Sequence, residues 1–183
     1  MKIALTTLIS ASLLSVPALA NNFDSQHRVG IGYSKTQVAD WLSDSTVDWG
    51  NGIKLEYGYE FNHIVGINVA YATNSDDETV DGLKADIDGS KFQVDADIGY
   101  KFDLDGFSIK PYGLIGLARH SEDISLIFAG DKETVSFNDT SIIVGIGGRA
   151  EFGRHVYTDM RFEFASYDGA DYDTFSWTVG YRF

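Results

Sequence analysis

The chain has 183 residues, a formal net charge of −13 and no cysteine. Its length fits a single domain, and the missing cysteines exclude disulfide staples. The acidic balance argues against a nucleic-acid partner, whose phosphates it would repel.

Lys2, the apolar stretch Ile3 to Val16, and the small-x-small ending Ala18-Leu19-Ala20 have the order of a secretory signal peptide. Cleavage is expected after Ala20, which divides the chain into a leader, 1–20, and a mature domain, 21–183. The leader carries Lys2 and no acid, so the mature part is one charge more negative. Beyond the leader no apolar run approaches the ~20 residues of a membrane helix. A membrane barrel needs only every second residue to be apolar, so its mean hydropathy stays near zero.

Period-two alternation dominates the mature domain, and it places different chemistry on the two sides of a strand. Eight segments are predicted, at 27–36, 52–61, 64–73, 91–102, 107–119, 140–152, 155–166 and 174–183. In the second, Ile53, Leu55, Tyr57, Tyr59 and Phe61 alternate with Lys54, Glu56, Gly58 and Glu60. In the fourth, Phe92, Val94, Ala96, Ile98, Tyr100 and Phe102 alternate with Gln93, Asp95, Asp97, Gly99 and Lys101. The fifth contains Pro111, which has no N–H, so a bulge or a broken ladder is expected there. Long polar stretches follow the first, third and fifth segments (Gln37 to Asn51, Asn74 to Ser90, His120 to Asp139). A shorter one, Tyr167 to Asp173, follows the seventh. Tight connections follow the even segments: Asn62-His63, Asp103-Leu104-Asp105-Gly106 and Gly153-Arg154. Short turns at one end and long loops at the other are the rhythm of an up-and-down membrane barrel.

The two faces decide between a soluble and a membrane barrel. The apolar face gathers Phe61, Tyr100, Phe102, Phe107, Phe152, Tyr181 and Phe183 at the short-turn end. Tyr33, Tyr71, Phe92, Phe164 and Phe175 fall toward the other. Two aromatic girdles mark a lipid-facing surface. The expected fold is all-β: an eight-stranded antiparallel up-and-down transmembrane β-barrel in the cell outer membrane.

In the last strand Phe175, Trp177, Val179, Tyr181 and Phe183 share one face, and the sequence stops at Phe183. This pattern resembles the signal read by the outer-membrane assembly machinery. Lys110-Pro111-Tyr112-Gly113-Leu114-Ile115-Gly116-Leu117 resembles the Pro-Tyr with spaced glycines of one strand in small porin-superfamily barrels. At the level of architecture the whole mature chain resembles the outer-membrane protein A-like and opacity-type barrels, which include the attachment-invasion and X-type proteins. The resemblance implies a small barrel of a Gram-negative cell surface. No peptidoglycan-binding domain is expected after the barrel, a departure from full-length outer-membrane protein A.

The inward face predicts a charge network. Its cations are Arg28, Lys54, Lys101, Lys110, Arg149, Arg161 and Arg182; its anions are Glu56, Glu60, Asp95, Asp97, Glu151, Asp159 and Glu163. An eight-stranded barrel has room for little beyond its own side chains, and buried charges persist only when paired. A salt-bridged plug is expected; the alternative is a narrow passive channel for ions or small solutes, gated by the same charges.

Acidic residues crowd the outer stretches, among them Asp76, Asp77, Glu78, Glu122, Asp123 and Asp171. They read as a solvated surface or as contacts to outer-membrane lipid and lipopolysaccharide. Neither Asp86-Ile87-Asp88-Gly89 nor Asp103-Leu104-Asp105-Gly106 completes a calcium loop, and no metal or cofactor is expected. Trp41, Leu42 and Trp49, with Leu126, Ile127 and Phe128, are the candidate contacts for a host or surface ligand, as in an adhesin. His120-Ser121-Glu122 looks like a nucleophile set, but strand neighbours point to opposite faces. The His-x-Ser spacing of lipid A deacylases is absent, and no enzyme activity is expected.

Overall fold

A computed structural model describes residues 27–40, 45–80, 83–128, 131–167 and 170–183. The expected leader and cleavage site, together with Trp41 and Leu42, lie outside the described residues. The strands are β1 (His27–Asp40), β2 (Ser45–Glu60), β3 (Val65–Val80), β4 (Leu83–Gly99), β5 (Phe102–Leu104), β6 (Phe107–Phe128), β7 (Asp131–Phe152), β8 (Val156–Tyr167) and β9 (Ala170–Arg182). Every pairing is antiparallel, and neighbours in sequence are neighbours in space. The sheet closes where β1 meets β9, in register from Arg28↔Arg182 to Ala39↔Asp171. Closure leaves no free edge, the only way a sheet satisfies its backbone inside a bilayer.

β4 and β5 are one barrel strand, interrupted at Tyr100 and Lys101. The pairs Gly99↔Tyr112 and Phe102↔Ile109 keep a single register across the gap, so the ladder is broken without a bulge. The Gly99 and Lys101 amides donate to Ile64 and His63 on the β3 side. Tyr100 therefore turns its polar groups toward β6, where its opposite residue is Pro111, which cannot donate. Pro111 keeps its pairing with Gly148 on the other side. In Pro111→Ala a protected amide is expected at this position, read by hydrogen exchange. The net stability change should stay within about 1 kcal/mol, because the regained hydrogen bond is offset by a looser unfolded chain.

The segments that read as long outer loops are strand for most of their length. β3 and β4 pair from Val65↔Ile98 out to Val80↔Leu83, and β6 and β7 from Phe107↔Phe152 out to Phe128↔Asp131. Above the membrane neither side of such a ribbon meets lipid, so the apolar alternation that marks a strand in lipid fades while the hydrogen-bond ladder continues. At the other end the turns are short. Asn62 Oδ1 accepts from the Ile64 and Val65 amides at 2.8 and 2.9 Å. Asp105-Gly106 links β5 to β6, with two residues of the expected turn, Asp103 and Leu104, absorbed into β5. Gly106 takes φ +88°, a conformation that a side chain at this tight turn would resist.

Outward residues form the apolar belt. Its short-turn rim is tied by ring contacts: Tyr59 with Phe61 and Tyr100 with Phe102, both at 5.0 Å, and His155 with Tyr181 at 5.1 Å. Ile31, Leu55, Ile115, Leu117, Ile142 and Ile146 are all more than half exposed. In a soluble protein this surface would aggregate; in lipid it is the solvent-facing side. The terminal-strand residues Trp177, Val179, Tyr181 and Phe183 face outward within this belt, and Phe175 packs on Phe162 at 5.0 Å.

Candidate functional site

Inward side chains stack in tiers along the barrel axis. At the short-turn mouth Glu151 accepts from Arg182 at 2.8 Å and from Ser108 at 2.9 Å, and is also paired with Lys101. The next tier joins β1, β2, β4, β6 and β7. Arg149 reaches Glu60 at 2.6 Å, Lys110 reaches Asp97 at 2.6 Å, and Arg28 reaches Asp97 at 3.2 Å and Glu60 at 3.3 Å. Above it, Asp159 accepts from Arg161 at 2.9 Å and from the Tyr112 hydroxyl at 2.6 Å, and forms an ion pair with Arg149 at 2.9 Å. Arg161 also meets Glu56 at 2.8 Å and Asp95 at 3.5 Å. The topmost tier pairs Lys54 with Glu56 at 3.2 Å and Lys91 with Glu163 at 2.7 Å.

These contacts cross the barrel. Each strand supplies alternate residues to the lumen, so ions far apart in sequence meet at one height. Arg149 and Arg161 are fully buried, and both guanidinium groups lie over the Tyr112 ring, at 5.2 and 5.8 Å from its centroid. A planar fork with several donors suits this role better than an ammonium would. All fourteen charged residues assigned to the lumen from sequence lie buried in this network.

Sequence reasoning missed its neutral members and one cation. Lys91 falls on the same parity as Gln93, Asp95 and Asp97, so the alternation already assigned it inward. Asn68 bonds Arg28 and donates to Asp95 at 2.6 Å and Asp97 at 3.0 Å. Gln93 donates to Glu163 at 2.8 Å and Asp95 at 3.0 Å. Their signal was position on the inward parity, which a search restricted to charge passes over.

Immediately above the network, Ser34, Thr36, Asn74 and Thr174 enclose only about 10 Å³, at the limit for a single water. The short-turn mouth holds a wider recess of about 340 Å³, floored by Lys101, Glu151 and Arg182.

The outer mouth has a different chemistry. Between Lys35 and Gln37 the β1–β2 register shifts by one residue opposite Trp49 and Gly50, and Gly50 takes φ +98°. This bulge reverses the inward parity of β2 and swings Trp49, expected in an exposed loop, over the barrel mouth. There the Trp49 indole donates to Glu122 and meets the Tyr172 ring edge-on at 6.2 Å. Beyond the apolar belt, Lys35 bonds Asp48 at 2.6 Å, which holds the Asp48 carboxyl below its ordinary range and braces the bulge. His120 lies 3.4 Å from Glu122 and packs between Tyr167 and Tyr172, at 5.4 and 5.5 Å. Ser121 faces the other way and bonds Asn138 at 2.6 Å, so His120 and Ser121 do not meet. Leu126, Ile127 and Phe128 form the outer end of β6. Among the described residues no group of His, Asp and Glu has metal-holding geometry.

Comparison with known proteins agrees with this architecture. The family described as outer membrane protein beta-barrel domain matches residues 6–183. No curated protein matches. Among solved structures, Ail, the attachment invasion locus protein of Yersinia pestis, superposes with a TM-score of 0.64 at 25% identity, over 88% of this chain and 100% of that one. Neisserial surface protein A gives 0.58 at 16% identity over 88% and 100%. The N-terminal β-barrel domain of Pseudomonas aeruginosa OprF gives 0.56 at 18% identity over 87% and 99%.

Proposed function

The chain belongs to the outer membrane protein beta-barrel domain family and lies in the bacterial outer membrane, and from that premise we propose that it is a closed surface barrel whose outer end is its working face. The leader 1–20 is its export signal, and the outward aromatic face of β9 is the feature that the assembly machinery reads. One observation carries the proposal: ion pairs cross the lumen at every tier, and the cavity immediately above them, below the outer mouth, holds only about 10 Å³. Conduction would require several buried pairs to part together, each exposing charge at a cost of several kcal/mol. The interior then acts as a strut that holds the strands at fixed tilt, leaving the outer ribbons to meet lipid, lipopolysaccharide or a surface partner. We assign it no catalytic role.

Ail of Yersinia pestis has been solved in complex with the heparin analogue sucrose octasulfate. This chain's outer end offers such a polyanion little. Asp76, Asp86, Asp88, Glu122, Asp123, Asp139 and Asp171 all lie there, and repulsion among like charges argues for a cationic or cation-bridged partner. A divalent ion shared between these carboxylates and lipopolysaccharide phosphates satisfies that requirement.

The deciding measurement is conductance of the folded barrel across a planar lipid bilayer, with the Arg161→Ala/Glu163→Ala double variant alongside. The wild-type barrel is expected to be silent. Steady stepwise currents from demonstrably folded wild-type protein, enlarged in the double variant, would replace this reading with that of a narrow channel.

A further inference from the structure

We propose that the outer mouth of the barrel is a binding site for a small organic ammonium ion. The proposal takes the reading of the outer end as the working face one step further, by naming the chemistry it accepts. A cleft of about 450 Å³ opens there between the β6–β7 ribbon, Trp49 of β2 and the β8–β9 hairpin. Its volume falls within the range of small-molecule sites. None of its lining residues is Lys or Arg, whereas Glu122 and Asp139 both line it.

Trp49, Phe137, Tyr167 and Tyr172 line it with aromatic rings. Trp49 meets Tyr172 at 84° and Tyr172 meets Tyr167 at 83°, with centroids 6.2 and 5.3 Å apart. Rings at right angles present π-faces in more than one direction, which is how aromatic walls enclose an alkylammonium group. Glu122 is 5% exposed and lies within this aromatic wall, bonded to the Trp49 indole. A carboxylate so placed supplies charge in a site largely stripped of water, where Coulomb attraction is stronger than at an open surface. The Tyr167 hydroxyl is buried without a hydrogen-bond partner, an unmet polar group on the wall of the cleft. His120, beside Glu122, is the one wall group that would oppose a cation when protonated.

The β2 bulge makes the site possible. Without the extra residue at Trp49-Gly50, Trp49 would keep the outward parity of Ile53 and Leu55 and leave the cleft with one wall fewer. A purely structural aromatic cap would need neither the carboxylate in its wall nor an open cleft above it.

The test is isothermal titration calorimetry of the refolded barrel in octyl glucoside micelles with choline as the probe. Its uncharged isostere 3,3-dimethylbutan-1-ol is titrated in parallel. Saturable binding of choline is expected, with none by the neutral isostere. Glu122→Gln and Tyr172→Leu, each shown to be folded by its gel shift on boiling, should each weaken choline at least about tenfold, a loss of about 1.4 kcal/mol. Absence of binding to the folded wild type would overturn the proposal. So would equal binding of the two probes, or unchanged affinity in both variants. Because conductance tests the surface-barrel reading, either proposal can fail while the other stands.

Discussion

Arg161→Ala is expected to lower the stability of the barrel by about 3–5 kcal/mol, the cost of leaving buried charge without its partner. Arg161 is fully buried and serves carboxylates from three strands: Glu56 of β2 at 2.8 Å, Asp95 of β4 at 3.5 Å and Asp159 of β8 at 2.9 Å. Its loss removes attraction and strands these anions together, where they repel one another across a lumen with almost no water. Arg161→Lys should recover part of the loss, since an ammonium restores the charge but cannot span partners on three strands. Arg119→Ala removes the same charge from an exposed site on β6 and should stay within about 0.5 kcal/mol of wild type. Urea midpoints in neutral detergent, monitored by the gel shift on boiling, read all three. A midpoint for Arg161→Ala close to that of Arg119→Ala would mean that the network fills space without bracing the strands.

How much of this is legible in the sequence depends on which side of each residue faces lipid. Inside the bilayer one parity must be apolar, so Leu55, Tyr57 and Tyr59 declare their strand, and Lys54, Glu56 and Glu60 declare the lumen with equal clarity. The same rule assigns Arg28 and Asp97 to one interior without saying that they touch. Height along the axis depends on register and strand stagger, which alternation does not encode. Above the membrane the rule lapses altogether. Asp76, Asp77 and Glu78 sit in a ladder with Ile87, Asp86 and Ala85, yet their composition reads as loop, because no face there has to be apolar for lipid.

The outer mouth escapes sequence reading for a related reason. Trp49 reads as a loop residue because nothing in Asp48-Trp49-Gly50 distinguishes a bulge from a turn; Gly suits either. The bulge depends on a register shift against β1, a property of two strands and not of one. Parity separates His120 from Ser121 correctly, but the neighbours of His120, Tyr167 and Tyr172, come from the far hairpin. Pro111, by contrast, is readable alone. A missing N–H in a closed barrel must break a hydrogen bond on one side or the other, and the break falls opposite Tyr100.

Closure itself gives the other large effect, and it rests on a glycine. Gly32→Val is expected to prevent the barrel from closing, at a cost of about 3 kcal/mol, the upper end of the usual penalty for overpacking. A Cβ at Gly32 would lie 2.3 Å from the Trp177 carbonyl oxygen and 2.8 Å from Thr178 Cα. Both belong to the β9 backbone, which cannot rotate aside as a side chain would. The two residues sit midway along the β1–β9 seam, where Gly32 pairs Thr178, so relief requires parting the strands that make the sheet a barrel. Gly148→Val supplies the comparison. Gly148 is also a strand glycine, but it faces outward with nothing within 4 Å of its would-be Cβ, so valine there adds apolar surface to the lipid-facing belt and leaves folding intact. Folding yield into lipid vesicles, scored by the gel shift on boiling, separates the two. Equal yields would mean that β1 and β9 meet with more room than their register implies, and that the seam is not what limits closure. The expected contrast makes the inward glycine part of the same design as the charge network: small residues let the strands meet, and the ions then hold them there.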